Sequence, residues 1–251
     1  MSTDWFSGRA ATYAAIRPDY PPALFRFVAS LGGARRLAWD CGTGNGQAAV
    51  ALAEHFDLVI ATDRAEAQLA HARPHPRVEY RQASAESSGL PAASADVVTV
   101  AQALHWFDLD RFYAEVRRVV RPGGAIVVWS YGDPVLRGGP PALDAALQRF
   151  NHETLDAYWP PERGAVGAGY LSLPFPFDEL PAPAMTLERR WTRAELLAYL
   201  RSWSATARYI AMHDADPTAM AESALAPHWG GDEVRHVVEW PLIIRAGRVT
   251  A

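Results

Sequence analysis

Cysteine is almost absent. The 251 residues hold a single one, Cys41, which excludes an intrachain disulfide and any zinc site built on several thiolates. No apolar run approaches the roughly 20 residues of a membrane-spanning helix. Residues 1–10 lack a basic segment followed by an apolar stretch, so no secretory signal is expected and the cytoplasm is the default location. No dense Lys/Arg run occurs and the formal net charge is -4. A global positive field for nucleic acid or an anionic membrane is therefore not expected. The histidines show no H-E-x-x-H spacing, and no metal is expected. There is no internal repeat and no low-complexity tract. What remains is ordinary for a folded chain, 49% hydrophobic and 21% charged.

The first half alternates two patterns. Apolar residues at helical spacing predict helices over 21–31, 46–55, 65–72 and 109–120. Short apolar runs predict strands over 36–41, 58–62, 78–82, 95–101 and 125–130. The run 95–101 is almost wholly apolar, as a central strand covered on both faces should be, and Pro122-Gly123-Gly124 stops the helix before the fifth strand. Two more strands are expected at 184–191 and 237–245, with a helix over 193–203. Pro241 suits an edge or a bulge. The expected fold is α/β, a doubly wound, Rossmann-like, mostly parallel seven-stranded sheet with helices on both faces. Residues 133–183, rich in Pro, Gly and aromatics, read as a partly helical insertion that roofs a pocket within one domain over 1–251.

The strongest local signal is Asp40-Cys41-Gly42-Thr43-Gly44-Asn45-Gly46, at the junction of the first strand and its helix. Gly42 and Gly44 permit backbone conformations closed to other residues and close approach of a ligand. Ligands of open α/β sheets sit beyond the carboxyl ends of the strands, where this loop lies. Asp63 ends the second strand about twenty residues past the glycines, a spacing from which a carboxylate reaches ribose hydroxyls. Together these features predict a cofactor that contains adenosine. A dinucleotide fingerprint wants a third glycine where Gln47 stands. Asp40 would repel a pyrophosphate, but it suits the ammonium and sulfonium charges of S-adenosylmethionine. An NAD-dependent oxidoreductase and a non-catalytic protein that binds S-adenosylmethionine are the alternatives.

These motifs, with Ala83-Ser84-Ala85-Glu86 after the third strand and Arg121-Pro122-Gly123-Gly124 before the fifth, resemble the class I S-adenosylmethionine-dependent methyltransferases. The stretches Ala101-Gln102-Ala103-Leu104-His105-Trp106-Phe107, Tyr13 with Arg17-Pro18-Asp19-Tyr20-Pro21, and Arg201-Ser202-Trp203-Ser204 are similar to the small-molecule branch that includes trans-aconitate-type methyltransferases. The resemblance is thinnest over 133–183.

The resemblance implies a set of roles. Gly42, Thr43 and Gly44 would pack against the methionine part and ribose, with Asp40 facing the amino end. Asp63 would hold the ribose hydroxyls, with Arg64 beside the adenine and Ser84 and Ala85 at its edge. Gln102 would lie under the methionine part. The wider class often has aspartate where Ser84 stands, and a hydroxyl can accept the same bond. Tyr13 and Arg17 would belong to a segment, 1–30, that folds over the cofactor. His105 is the candidate substrate contact or general base. Trp159, Tyr170 and Trp203 are candidates to line the acceptor pocket, and Trp106 reads as core. The acceptor is expected to be a small molecule bearing a carboxylate or hydroxyl, and the oligomeric state is open. Nucleic acid is disfavoured, because the Asn/Asp-Pro-Pro-aromatic motif is replaced by Ala101-Gln102-Ala103-Leu104.

Overall fold

A computed structural model describes residues 18–160 and 163–250. Among them are nine strands: β1 (Leu37–Cys41), β2 (Leu58–Asp63), β3 (Val78–Gln82), β4 (Ala95–Ala101), β5 (Val120–Tyr131), β6 (Val135–Arg137), β7 (Asp178–Leu180), β8 (Met185–Trp191) and β9 (His236–Arg248). The two beyond the expected seven, β6 and β7, are three residues each. That is too short to leave a periodic signal.

The described residues pack as two compact units, 19–132 with 164–185 and 242–250, and 18 with 133–160, 163 and 186–241. The stretch expected as one insertion, 133–183, is thus divided at residue 163. Its second part joins the larger unit because Tyr170 and Phe177 enter that unit's core, with Val166, Leu173 and Phe175 packed on it.

In the larger unit the strand order is β3-β2-β1-β4-β5-β9, with β7 also on β9. The pairs among β1 to β5 are parallel, and β9 runs antiparallel to β5 and to β7. β4 has six consecutive buried residues, as a central strand covered by helices on both faces requires. The helix Leu109–Val119 starts where Asp108 caps the Arg111 amide and buries Phe112, Tyr113, Val116 and Val119. The helix Pro22–Leu31 buries Leu24, Phe25, Val28 and Ala29, and Phe25 packs edge-on against Trp129 of β5. The end of the segment 1–30 therefore packs into the core of this unit. Tyr13 and Arg17 lie outside the described residues.

The smaller unit holds the helices Pro141–Arg149, Arg193–Arg201, Ser204–His213 and Thr218–Trp229. Thr192 and Glu195 form a reciprocal capping box at the second of these. The last two were not foreseen: the first buries the small Ala205 and Thr206, and the second carries Pro227 within it. An aromatic cluster of Trp191, Tyr199, Trp203 and Trp240 forms its centre. Pro241 follows Glu239, which pairs with β6, and precedes Leu242, which pairs with β5. No helix among the described residues is long and apolar enough to cross a membrane.

Candidate active site

The glycine loop leaves β1 at the carboxyl edge of the sheet. Gly42, Gly44 and Gly46 have φ of 68°, 57° and 80°, a region that side chains with a Cβ enter only at a cost. The amides of Gly42 and Thr43 donate to the Thr62 carbonyl at 2.9 and 3.0 Å, tying the loop to the end of β2. A Cβ on Gly42 would stand 2.7 Å from Cβ of Ala103, whereas one on Gly44 would meet nothing nearer than Gln68 Oε1 at 3.8 Å. The loop is therefore closed against the β4 side at Gly42 and bare at Gly44.

Asp63 faces this loop. Its Oδ2 accepts from the Gly44 amide at 2.9 Å, and its Oδ1 accepts from the Ala65 amide at 2.9 Å. Arg64 beside it is exposed. Ser84 makes an isolated bridge to Ser87 at the end of β3, and Ala85 is buried.

Asp40 lies beneath the loop and is fully buried. Its two oxygens accept from Thr43 Oγ1 at 2.6 Å and Thr99 Oγ1 at 2.7 Å. The sequence marks Asp40 as facing a ligand. The structure instead encloses it, and its direct partners are the two threonine hydroxyls. Thr99, from β4, is a site residue that sequence reasoning missed, hidden within an apolar run. Burial raises the Asp40 carboxyl from the usual range to about 6, while the threonine bonds pull it down. Between pH about 4 and about 6 the folded chain then holds this proton more tightly than the unfolded chain, so stability falls as pH rises through that window and levels off above it. The contribution is on the order of 3 kcal/mol. Urea denaturation of Asp40→Asn and wild type is expected to show the variant gaining on wild type from pH 4 to pH 6.5. A difference that stays flat over that range would remove burial as the dominant influence on Asp40. Cys41, also buried, has its thiol pushed well above the ordinary range by desolvation and then by Asp40, which makes it inert packing.

Gln102 follows β4 with φ 57°, and its amide donates to the Trp129 carbonyl at 2.9 Å. A left-handed residue of this kind is strained, and such strain concentrates at functional sites. It turns the chain into the short 3-10 helix Leu104–Trp106. His105 Nδ1 lies 3.0 Å from the Tyr170 hydroxyl, and the two rings stack at 5.9 Å. Tyr170 is fully buried, and Trp106, expected in the core, is 51% exposed. The tight turn at Leu104 sends His105 inward beside Tyr170 and leaves the next side chain outside.

His105 and Tyr170 thus come together in the larger unit, and Trp159 and Trp203 come together in the smaller, their rings 5.2 Å apart. Trp203 is buried in the aromatic cluster. Trp159 Nε1 donates to Asn151 Oδ1 at 3.1 Å, and the Arg163 guanidinium lies over its ring. His71 and His75 are four apart, but the helix Glu66–Leu69 ends before them. Among the described residues no group of three His, Cys, Asp or Glu is placed to hold a metal.

Comparison with known proteins places the chain in a family. Residues 39–128, which hold the glycine loop, Asp63 and His105, match the methyltransferase domain family. A Dictyostelium discoideum protein named as a methyltransferase is 34% identical over 209 residues, 82% of this chain and 79% of its own length. The solved structure of an Anaeromyxobacter dehalogenans protein described as a type II methyltransferase is 49% identical, with a TM-score of 0.88 over 93% of this chain and 98% of that one. At the level of fold alone, a Haemonchus contortus phosphoethanolamine N-methyltransferase, solved with S-adenosyl-L-methionine, superposes with a TM-score of 0.50 at 17% identity, over 100% of this chain and 59% of its own. With this identity over four-fifths of the chain and this agreement in fold, the chain belongs to the class I S-adenosylmethionine-dependent methyltransferases.

Proposed function

We propose that the enzyme methylates a small-molecule acceptor, with the donor lying on the loop 42–46 and the acceptor presented by the turn that carries His105. The observation that carries this reading is the bond from the Gly44 amide to Asp63. It puts a bare backbone cradle and a carboxylate at one point on the carboxyl edge of the sheet, a donor set that fits a nucleoside with an extended polar tail. Gly42, Thr43 and Gly44 would hold the methionine part and ribose, and Asp63 the ribose hydroxyls. Arg64, Ser84 and Ala85 would border the adenine, and Gln102 would lie under the methionine part. Asp40 acts on this site through its charge and by fixing Thr43. A carboxyl near 6 is ionised at neutral pH and supplies negative charge beneath the cationic donor.

When bound, the donor supplies an electrophilic methyl carbon: the acceptor's lone pair forms the new bond while sulfur keeps the electron pair of the broken one. The protein's part is orientation and exclusion of water. A small acceptor suits a chain of net charge -4 without the motif of amino-directed DNA methyltransferases. The resemblance to trans-aconitate-type enzymes favours a carboxylate or hydroxyl over other acceptor groups.

Calorimetric titration with S-adenosylmethionine, S-adenosylhomocysteine and NADH tests the reading. Micromolar binding of the first two and none of the third is expected, followed by release of S-adenosylhomocysteine with members of a panel of small acids and alcohols. A folded sample that binds neither sulfur ligand overturns the site. Tight donor binding with no turnover on any acceptor favours a non-catalytic binding protein.

A further inference from the structure

The contact between His105 and Tyr170 bears on which acceptors the site can serve. Tyr170 is fully buried, and a buried hydroxyl left without an acceptor costs about 1–3 kcal/mol. Among the described residues, the one side-chain acceptor within reach of its proton is His105 Nδ1, at 3.0 Å. A buried phenol proton with that acceptor in reach points at Nδ1. Burial also drives the phenol far above its ordinary range, so it stays protonated and able to donate. The backbone fixes the pair from both sides. Gly169 and Tyr170 are both left-handed, with φ of 62° and 60°, and Arg245 donates to the carbonyls of Tyr170 and Leu173 at 2.8 and 3.0 Å. Such anchoring is what holds a strained turn in place.

A neutral imidazole whose Nδ1 accepts must carry its proton on Nε2. We propose that Tyr170 is a positioning residue that locks His105 as the Nε2–H tautomer, so that His105 meets the acceptor as a hydrogen-bond donor and not as a base. This rests on the reading that His105 touches the acceptor. An Nε2–H donor binds lone pairs and takes up no proton. The acceptor that fits is therefore already ionised, and a carboxylate fits best: one oxygen accepts from Nε2 while the other attacks the methyl carbon. The S–C bond breaks with its electrons to sulfur, a neutral ester forms, and no proton is left to remove. An alcohol would need a base that this tautomer cannot supply.

The test is nitrogen NMR of the full chain labelled at histidine, with S-adenosylhomocysteine present, at pH 8, above the ordinary histidine range. The His105 signals are identified by their loss in His105→Gln. The expected spectrum has Nδ1 at the position of an unprotonated, hydrogen-bonded nitrogen and Nε2 at that of a protonated one. In Tyr170→Phe the Nδ1 signal moves toward the unbonded position. A protonated Nδ1 in the wild type overturns the proposal whether or not the variant folds. An Nδ1 signal that Tyr170→Phe leaves in place overturns it too. Calorimetry of S-adenosylhomocysteine on the same sample reports on the donor site alone. Failure of the tautomer and failure of the methyltransferase reading are therefore seen separately.

Discussion

Gly42→Ala is expected to lower affinity for S-adenosylmethionine by at least about a hundredfold, roughly 2.7 kcal/mol, and to reduce the melting temperature by several degrees. Two costs act together. An alanine at φ 68° costs about 1–2 kcal/mol on its own. Its Cβ also meets Cβ of Ala103 at 2.7 Å and Cζ of Phe107 at 3.1 Å. Both neighbours stand on the turn after β4, and that turn is held by Gln102 in its own left-handed conformation. It has no slack to yield, because Phe107 packs on Phe112 with centroids 4.9 Å apart. The displacement therefore reaches His105, and turnover should fall further than binding. Gly44→Ala separates the two costs. Its φ is 57°, so the backbone cost is similar, but the nearest atom is 3.8 Å away. Its methyl would project onto the bare face of the loop. Binding should be lost with a smaller fall in melting temperature. Equal behaviour of the two variants in both measurements would mean that the donor does not lie against Gly44.

The parts of this molecule legible in the sequence are those where one residue type meets one physical demand. A run such as Ala95–Ala101 can only be a covered strand, and glycines after such a run mark a turn in the left-handed region, which all three loop glycines adopt. The place of Asp63, at the end of β2 and beside the glycine loop, follows from its spacing. Features that depend on distant partners were not. His105 and Tyr170 could each be singled out, but they are 65 residues apart, and nothing in either neighbourhood announces the bond between them. Asp40 was read as facing a ligand because its charge invites one. The two threonines that enclose it come from the loop itself and from β4, and Thr99 lies inside an apolar run. The helix Thr218–Trp229 carries Pro227 within it, a residue that ordinarily argues against a helix interior. Its burial of Leu225 and Trp229 outweighs that local preference.

Asp63→Ala is the other substitution with a large expected effect, and its difficulty is that Asp63 already has work to do in the protein. Each of its oxygens accepts a backbone amide at 2.9 Å, one from Gly44 and one from Ala65. Hydrogen bonds to a charged group contribute about 1.5–3 kcal/mol each. Alanine therefore loosens the loop and removes the ribose acceptor at once, and a hundredfold or greater loss of affinity for S-adenosylmethionine is expected. A double-mutant cycle distinguishes the two contributions. A donor analogue lacking the ribose 2′- and 3′-hydroxyls should bind wild type weakly and bind Asp63→Ala almost as well, because the bond in question is missing from both complexes. Wild type should prefer the natural donor strongly, and the variant should hardly distinguish the two ligands. If Asp63→Ala instead weakens both ligands by the same factor, the carboxylate acts only by holding the loop, and the ribose is recognised elsewhere. Asp63→Asn keeps one acceptor oxygen but turns an amide NH2 toward a backbone N–H that now has no partner. It should therefore fall near alanine in affinity, because what the loop and the ribose both require at this position is an anion with two accepting oxygens.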